Sequence, residues 1–300
     1  MANIFFTESK GYLNHSLIYK LKTAGHKVTV LVKTQEEAKL VESTGAALFW
    51  GDASDTAGFT GALSASDIVI RTPDLFDLKF AHSESTVVEG IIAALKGTNK
   101  TFIYTSSAWV LGETGNVLAD ERTPLAPPAL VAPLAQIEGL VLDSAKQGIR
   151  SIVIRPSIIY GFEGDYIDEV ITASRRERFV GFLTEGRSVG TYVHIEELVD
   201  LYLRAIDKAP AGALYQAGSS DFVSQLELAE AISKAFSIKE KRSLSIEQSR
   251  AKFGVLAEVY GLSQKIDFAR AKADLKWEPR KPGVLTYVVE REKALAALAK

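Results

Sequence analysis

Strand-length apolar runs alternate with helix-length amphipathic segments through the first half of this chain, which confines it to a parallel sheet covered by helices. The runs are Ile4–Phe6, Lys27–Val32, Ala46–Trp50, Asp67–Arg71, Thr101–Thr105 and Ser151–Arg155. Between them, Leu13, Leu17, Ile18 and Leu21 share one helical face that closes at Ala24-Gly25-His26. Gln35–Ser43 forms a second helix ending at Thr44-Gly45, and further helices are expected at about Ser83–Lys96 and Pro133–Gln147. Beyond Phe162 the pattern loosens into aromatic loops and short helices, returns to a strand at Ala213–Ala217, and is mostly helical from Ser224 to Lys300.

The expected fold is therefore α/β: a doubly wound parallel sheet of the Rossmann type over residues 1–161, completed by 213–217. No repeat or low-complexity linker separates a second domain. Residues 162–212 and 218–300 are expected to build a smaller, mainly helical substrate lobe over the carboxyl edge of the sheet. With 300 residues, 47% hydrophobic and 24% charged, the chain can bury the core this requires.

Composition excludes several classes of function. A formal net charge of -2 provides no basic surface for nucleic acid and no polybasic patch for a membrane. The absence of cysteine excludes disulfides, thiol nucleophiles and thiolate metal sites, and four scattered histidines argue against any metal site. The first apolar run has no basic leader, and no stretch approaches the about 20 apolar residues of a membrane span, so a cytosolic location is expected.

The first strand runs straight into the first helix through Thr7-Glu8-Ser9-Lys10-Gly11-Tyr12-Leu13-Asn14. That is where a dinucleotide fold keeps its glycine-rich phosphate turn, so Thr7, Lys10, Gly11, Tyr12 and Leu13 are candidate cofactor contacts. Two of the usual glycine positions hold Glu8 and Asn14. Glu8 is expected to place a carboxylate where bare amides should meet phosphate, so any dinucleotide binds against a handicap. Lys33 follows the second strand, and with Lys10 it favours a 2′-phosphate, hence NADP over NAD; the alternative is two solvated surface lysines. Asp52 could accept from an adenine amine or could cap the turn that follows it.

Four ordered motifs follow: Thr105-Ser106-Ser107-Ala108-Trp109-Val110-Leu111-Gly112, Asp120-Glu121-Arg122-Thr123-Pro124, Arg155-Pro156-Ser157-Ile158-Ile159-Tyr160-Gly161 and Val193-His194-Ile195-Glu196-Glu197-Leu198. A fifth runs from Ser263-Gln264-Lys265-Ile266-Asp267 to Lys276-Trp277-Glu278-Pro279. Together they resemble the extended short-chain dehydrogenase/reductase superfamily, and within it the NAD-dependent epimerase/dehydratase group. The resemblance implies a catalytic Ser or Thr, matched by Ser106 or Ser107, and a tyrosine followed four residues later by a lysine. Counting back from Glu138 places Leu130 and Leu134 at those two positions, and no other tyrosine lies between Tyr104 and Tyr160. Leucine can neither donate a proton nor lower the pKa of a phenol.

The polar groups expected near the reacting centre are Ser106, Ser107 and Tyr160, with Thr72 and Arg71 beside them. Tyr160 is the phenol that the resemblance places nearest, although its motif also commonly shapes the substrate loop. His194 could serve as a base or could order a sheet edge. Trp109, Phe162, Tyr166, Phe179, Phe182 and Tyr192, with Tyr160, are expected to line an aromatic cleft for an apolar small molecule; the alternative is ordinary packing of the lobe. The reading placed first is a non-redox conversion (cyclisation, isomerisation or elimination) that needs no cofactor, followed by an atypical NADP-dependent reductase and then a non-catalytic sensor. The resemblance also implies a possible homodimer through the helices at Ser83–Lys96 and Pro133–Gln147.

Overall fold

The structure is a computed structural model and describes residues 1–73, 80–162 and 164–298. Seven parallel strands form the central sheet in the spatial order Ala213–Ala217, Arg150–Pro156, Thr101–Thr105, Ile68–Arg71, Asn3–Phe6, Lys27–Val32, Ala47–Trp50. The order reverses between Asn3–Phe6 and Ile68–Arg71, which pair in register from Ile4 opposite Ile68. A crevice opens at the carboxyl ends of such a pair, because the connections leave in opposite directions.

The period-two alternation of side chains divides the core in two. Ile4, Phe6, Val28, Val30, Val32, Ile152 and Ile154 pack under helices Tyr12–Thr23, Gln35–Glu42 and Ile195–Lys208. Phe5, Leu31, Phe102, Tyr104 and Val153 face the other way, toward Thr60–Ala65, Phe80–Leu95 and Ala132–Asp143. Two ion pairs cross that second layer. Arg71 is held by Glu84 through Nε at 2.9 Å and Nη2 at 2.5 Å, and Arg155 is held by Glu138 through the same two atoms at the same distances.

Over the carboxyl edge lies a second layer of mixed structure. Strands Ile158–Tyr160, Val189–His194 and Phe222–Ser224 form one small sheet, and Phe179–Phe182 pairs with Glu240–Ser243. Helices Tyr166–Glu177, Gln225–Ala235 and Val284–Leu298 pack around them. The helical C-terminal part thus carries more strand than its sequence pattern suggested, because all of these strands but Val189–His194 are only three or four residues long. Lys265–Ile266 returns to pair with Leu118–Ala119, and Gln264 Nε2 donates to the carbonyls of Ala108 (3.0 Å) and Gly112 (2.8 Å). The tail therefore fixes the loop that follows Thr101–Thr105, where Ser106 and Ser107 lie.

Breaking a buried pair strands a charge, whereas replacing both partners with apolar groups removes the desolvation cost as well. Glu138→Ala is expected to lower unfolding stability by about 3–5 kcal/mol. Arg155→Met combined with Glu138→Leu should recover most of that loss. Urea unfolding midpoints of the three proteins check both expectations.

Candidate functional site

One cleft joins the switch point to the aromatic part of the upper layer. Its near wall is the turn and first helical residues Lys10–Asn14, its floor the strand ends at Thr72, Thr105, Ser106 and Ser157, and its far wall Trp109, Tyr166, Leu256 and Tyr260. Gly11 precedes helix Tyr12–Thr23 with φ 95°, a left-handed value that glycine adopts without strain. It provides no side-chain cap, and the first turn holds no acid. The residues that begin this helix line the cleft, and the partial positive charge of its first amides is uncompensated by the helix itself.

The two glycine replacements behave differently from a simple obstruction. Glu8 is not among the residues lining the cleft. Its Oε1 accepts from the amides of Ser9 (3.0 Å) and Lys10 (3.1 Å), and its Oε2 lies 3.7 Å from Arg71 Nη1. Arg71 Nη1 also donates to the Thr7 carbonyl at 2.9 Å. Asn14 is buried; its Nδ2 donates to the Lys10 carbonyl at 2.5 Å, and its Oδ1 accepts from the Thr72 hydroxyl. The turn is thus held from below by Arg71 and from its helical end by Asn14.

Lys10 and Lys33 are not simply solvated. Lys10 Nζ lies 3.2 Å from Glu37 and Lys33 Nζ 2.6 Å from Asp52, while Glu37 also accepts from the Lys33 amide at 2.6 Å. Asp52 additionally accepts from the amide (2.9 Å) and hydroxyl (2.8 Å) of Ser54. Its hydrogen bonds from Lys33 and Ser54 hold its carboxyl down to about 2. Thr7 is buried beneath the turn, away from the cleft.

At the floor, Ser106 Oγ and Ser157 Oγ are buried without a hydrogen-bond partner among the described residues, whereas Ser107 Oγ caps the next turn by accepting from the Trp109 amide at 3.2 Å. Leu134 is fully buried in the core and Leu130 packs half-buried against it. At the far wall Tyr166 stacks on Tyr260 with ring centroids 3.9 Å apart, and Trp109 meets Tyr260 edge-on at 5.5 Å.

Several residues expected at the site lie elsewhere. Tyr160 is buried outside the cleft, and its hydroxyl donates to the Pro282 carbonyl at 2.6 Å. Tyr192 packs edge-on against it, 6.5 Å away, in the core. Phe179 is sandwiched with Arg242 at 4.2 Å and Lys252 at 5.1 Å on the outer strand pair. Phe162 is exposed on a separate groove shared with Tyr12 and Tyr19. His194 is the N-cap of helix Ile195–Lys208, its Nδ1 accepting from the Glu196 amide at 3.2 Å, and burial lowers its pKa. Of the expected aromatic lining, only Trp109 and Tyr166 reach the cleft. Leu256, Tyr260, Asp165, Glu169 and Ser157 are among the lining residues that sequence reasoning missed; the four-residue spacing of Leu256 and Tyr260 was the available signal.

A model of the NAD dependent epimerase/dehydratase family matches residues 9–218, and the chain belongs to that family. It is 25% identical over 290 residues to an uncharacterised protein of Schizosaccharomyces pombe, covering 94% of this chain and 97% of that one. It is 26% identical over 222 residues to the 4-hydroxy-2-methyl-3-oxo-4-farnesyl-3,4-dihydroquinoline-1-oxide ketoreductase of Stigmatella aurantiaca, covering 70% of this chain and 66% of that one. The fold is similar to that of the dTDP-glucose 4,6-dehydratase of Bacillus anthracis solved with NAD, with a TM-score of 0.81 at 15% identity, covering 99% and 97% of the two chains.

Asp165 caps helix Tyr166–Glu177 by accepting from the amides of Asp168 and Gly161, both at 2.7 Å. Burial nevertheless outweighs these bonds and raises its carboxyl from 3.8 to about 6. The folded protein then holds a proton that the unfolded chain has released, so this group's contribution to stability is present below pH about 4 and is lost as pH rises to about 6. The loss should be about 3 kcal/mol, and Asp165→Asn should abolish it. Carbon-13 titration of the Asp165 carboxyl with unfolding curves across that window checks this; a midpoint near 4 overturns it.

Proposed function

We propose that this protein is an atypical NADP(H)-dependent reductase acting on a small, largely apolar ring compound. The observation that carries the reading is the continuity of the cleft. The uncapped helix start at Gly11–Leu13, the unpartnered Ser106 hydroxyl and the aromatic far wall line one cavity. The helix-start amides suit a pyrophosphate. Lys10 and Lys33 would hold the 2′-phosphate, each exchanging its present carboxylate for a more highly charged partner. When bound, the reduced nicotinamide supplies a hydride. Ser106 Oγ would hydrogen-bond to the substrate's reacting polar atom and stabilise charge developing there, without giving up a proton. Tyr166, Tyr260 and Trp109 would orient the ring and exclude water. The ketoreductase relative is in keeping with redox chemistry.

The non-redox conversion remains a second reading, favoured by one observation: the helix that would bear the family's acid–base pair places Leu134 in the core. Binding of the cofactor separates the two. Calorimetry is expected to show NADPH binding with Kd in the range of about 1 µM to 1 mM. Lys33→Ala should weaken NADPH about tenfold while leaving NADH within about twofold. Ser106→Ala should lower kcat about a hundredfold without altering NADPH affinity. Absence of any NADPH binding at millimolar concentration removes the reductase reading and leaves the non-redox one.

A further inference from the structure

We propose that the substrate is a ring-bearing cation, and that the bond reduced is the carbon–nitrogen double bond of an iminium ion held between Glu169 and the aromatic wall. This rests on the reductase reading and gives it a substrate class.

Glu169 stands at the cleft rim, three residues after Tyr166 on helix Tyr166–Glu177, so the two side chains share a face. Among the described residues its carboxylate has no hydrogen-bond or ion-pair partner. The other acids of that helix are occupied. Asp168 takes Arg291 at 2.7 Å and Glu177 takes Lys252 at 2.7 Å, while the buried Asp165 accepts from two amides. Glu169 is exposed at the rim, and its charge is felt by the phenols of Tyr166 and Tyr260. An unpaired carboxylate at the exposed rim of a cleft whose wall carries Trp109, Tyr166 and Tyr260 is an arrangement that favours a cation, by charge attraction and by the ring quadrupoles.

The missing acid points the same way. Reduction of a ketone leaves an alkoxide that must take a proton, yet Leu130 and Leu134 hold the positions where the family keeps its donor pair. The two cleft-wall phenols stack on one another, and burial makes both weaker acids than a free phenol. An iminium ion makes no such demand. A hydride added at carbon turns the π pair of the double bond into the nitrogen lone pair, so the cation ends as a neutral amine and no proton leaves the protein. The hydride, with its two electrons, comes from the reduced nicotinamide, which is oxidised in the same step. Loss of the positive charge also removes the attraction to Glu169, which favours release of the amine.

Calorimetry with N,N-dimethyl tetrahydroisoquinolinium, a fixed cation that cannot be reduced, and tetralone, a neutral ketone of similar size, tests the binding claim. The cation is expected to bind the wild-type protein about fivefold tighter than tetralone. Glu169→Gln should erase that preference without changing tetralone affinity, and Glu169→Asp should restore part of it. With NADPH present, N-methyl dihydroisoquinolinium should be reduced faster than tetralone, and Glu169→Gln should slow only the former. Equal affinity for the two probes, no binding of the cation, or equal weakening of both by Glu169→Gln overturns the proposal. NADPH titrated into the same proteins keeps the two claims apart. If NADPH binds but the cation is not preferred, the substrate class falls and the reductase reading stands; if NADPH does not bind, the reductase reading itself falls.

Discussion

The carboxyl edge of the sheet depends on the guanidinium of Arg71. It is buried at the last residue of the strand beside which the strand order reverses, directly under the turn that leads into the first helix. Burial opposes its charge, but Glu84 at 2.5 Å outweighs that cost and raises its pKa above the ordinary value. A guanidinium has five donors in a fixed plane, so neutralising it with one carboxylate leaves others to be used. One goes to the Thr7 carbonyl, and Glu8 lies within ion-pair distance of the same nitrogen. The turn is therefore anchored to the neighbouring strand by a charge that has no cheaper place to go.

This anchoring changes what the lost glycines mean. At the first position glycine normally lets the chain turn tightly, and here a carboxylate meets both the turn's own amides and the cation below them. At the last position glycine normally lets helix and strand approach, and here Asn14 fills the gap with a hydrogen bond to each side. Both substitutions put polar side chains into a buried place, and both satisfy most of what they bring, which is the condition under which burial of polar groups is tolerated. Gly11 alone keeps the left-handed conformation that a side chain would strain.

The order of strands and helices was legible because each buried strand reads as an unbroken apolar run and each helix shows its spacing and its terminal glycine. The landmark motifs likewise identified the family, since they keep their order along the chain. Residue roles were less legible. Tyr160 and His194 are polar groups within two of the landmark motifs, but each spends its polar atom on backbone, at the Pro282 carbonyl and the Glu196 amide. Lys10 and Lys33 read as free cations because nothing in sequence shows that Glu37, from the next helix, and Asp52, from the next strand, reach back to them. Tyr260 and Leu256 come from a segment more than eighty residues after Tyr166, and only tertiary folding puts the three on one wall.

The two departures from the family pattern have unlike consequences. The turn is held together by Glu8 and Asn14, with its helix start lining the cleft, whereas Leu130 and Leu134 stand where the resemblance implies a phenol and an ammonium. Leu134 makes core contacts on a helix whose next turn carries Glu138, the partner of Arg155. A lysine at 134 would have to bury its charge in the core beside the Arg155–Glu138 pair, whose guanidinium already neutralises that carboxylate. The cleft holds an uncapped helix start at one end, a buried hydroxyl in the middle, and aromatic rings with the Glu169 carboxylate at the other. Chemistry suited to that set needs charge stabilised and a ring held in place, and does not need a proton delivered.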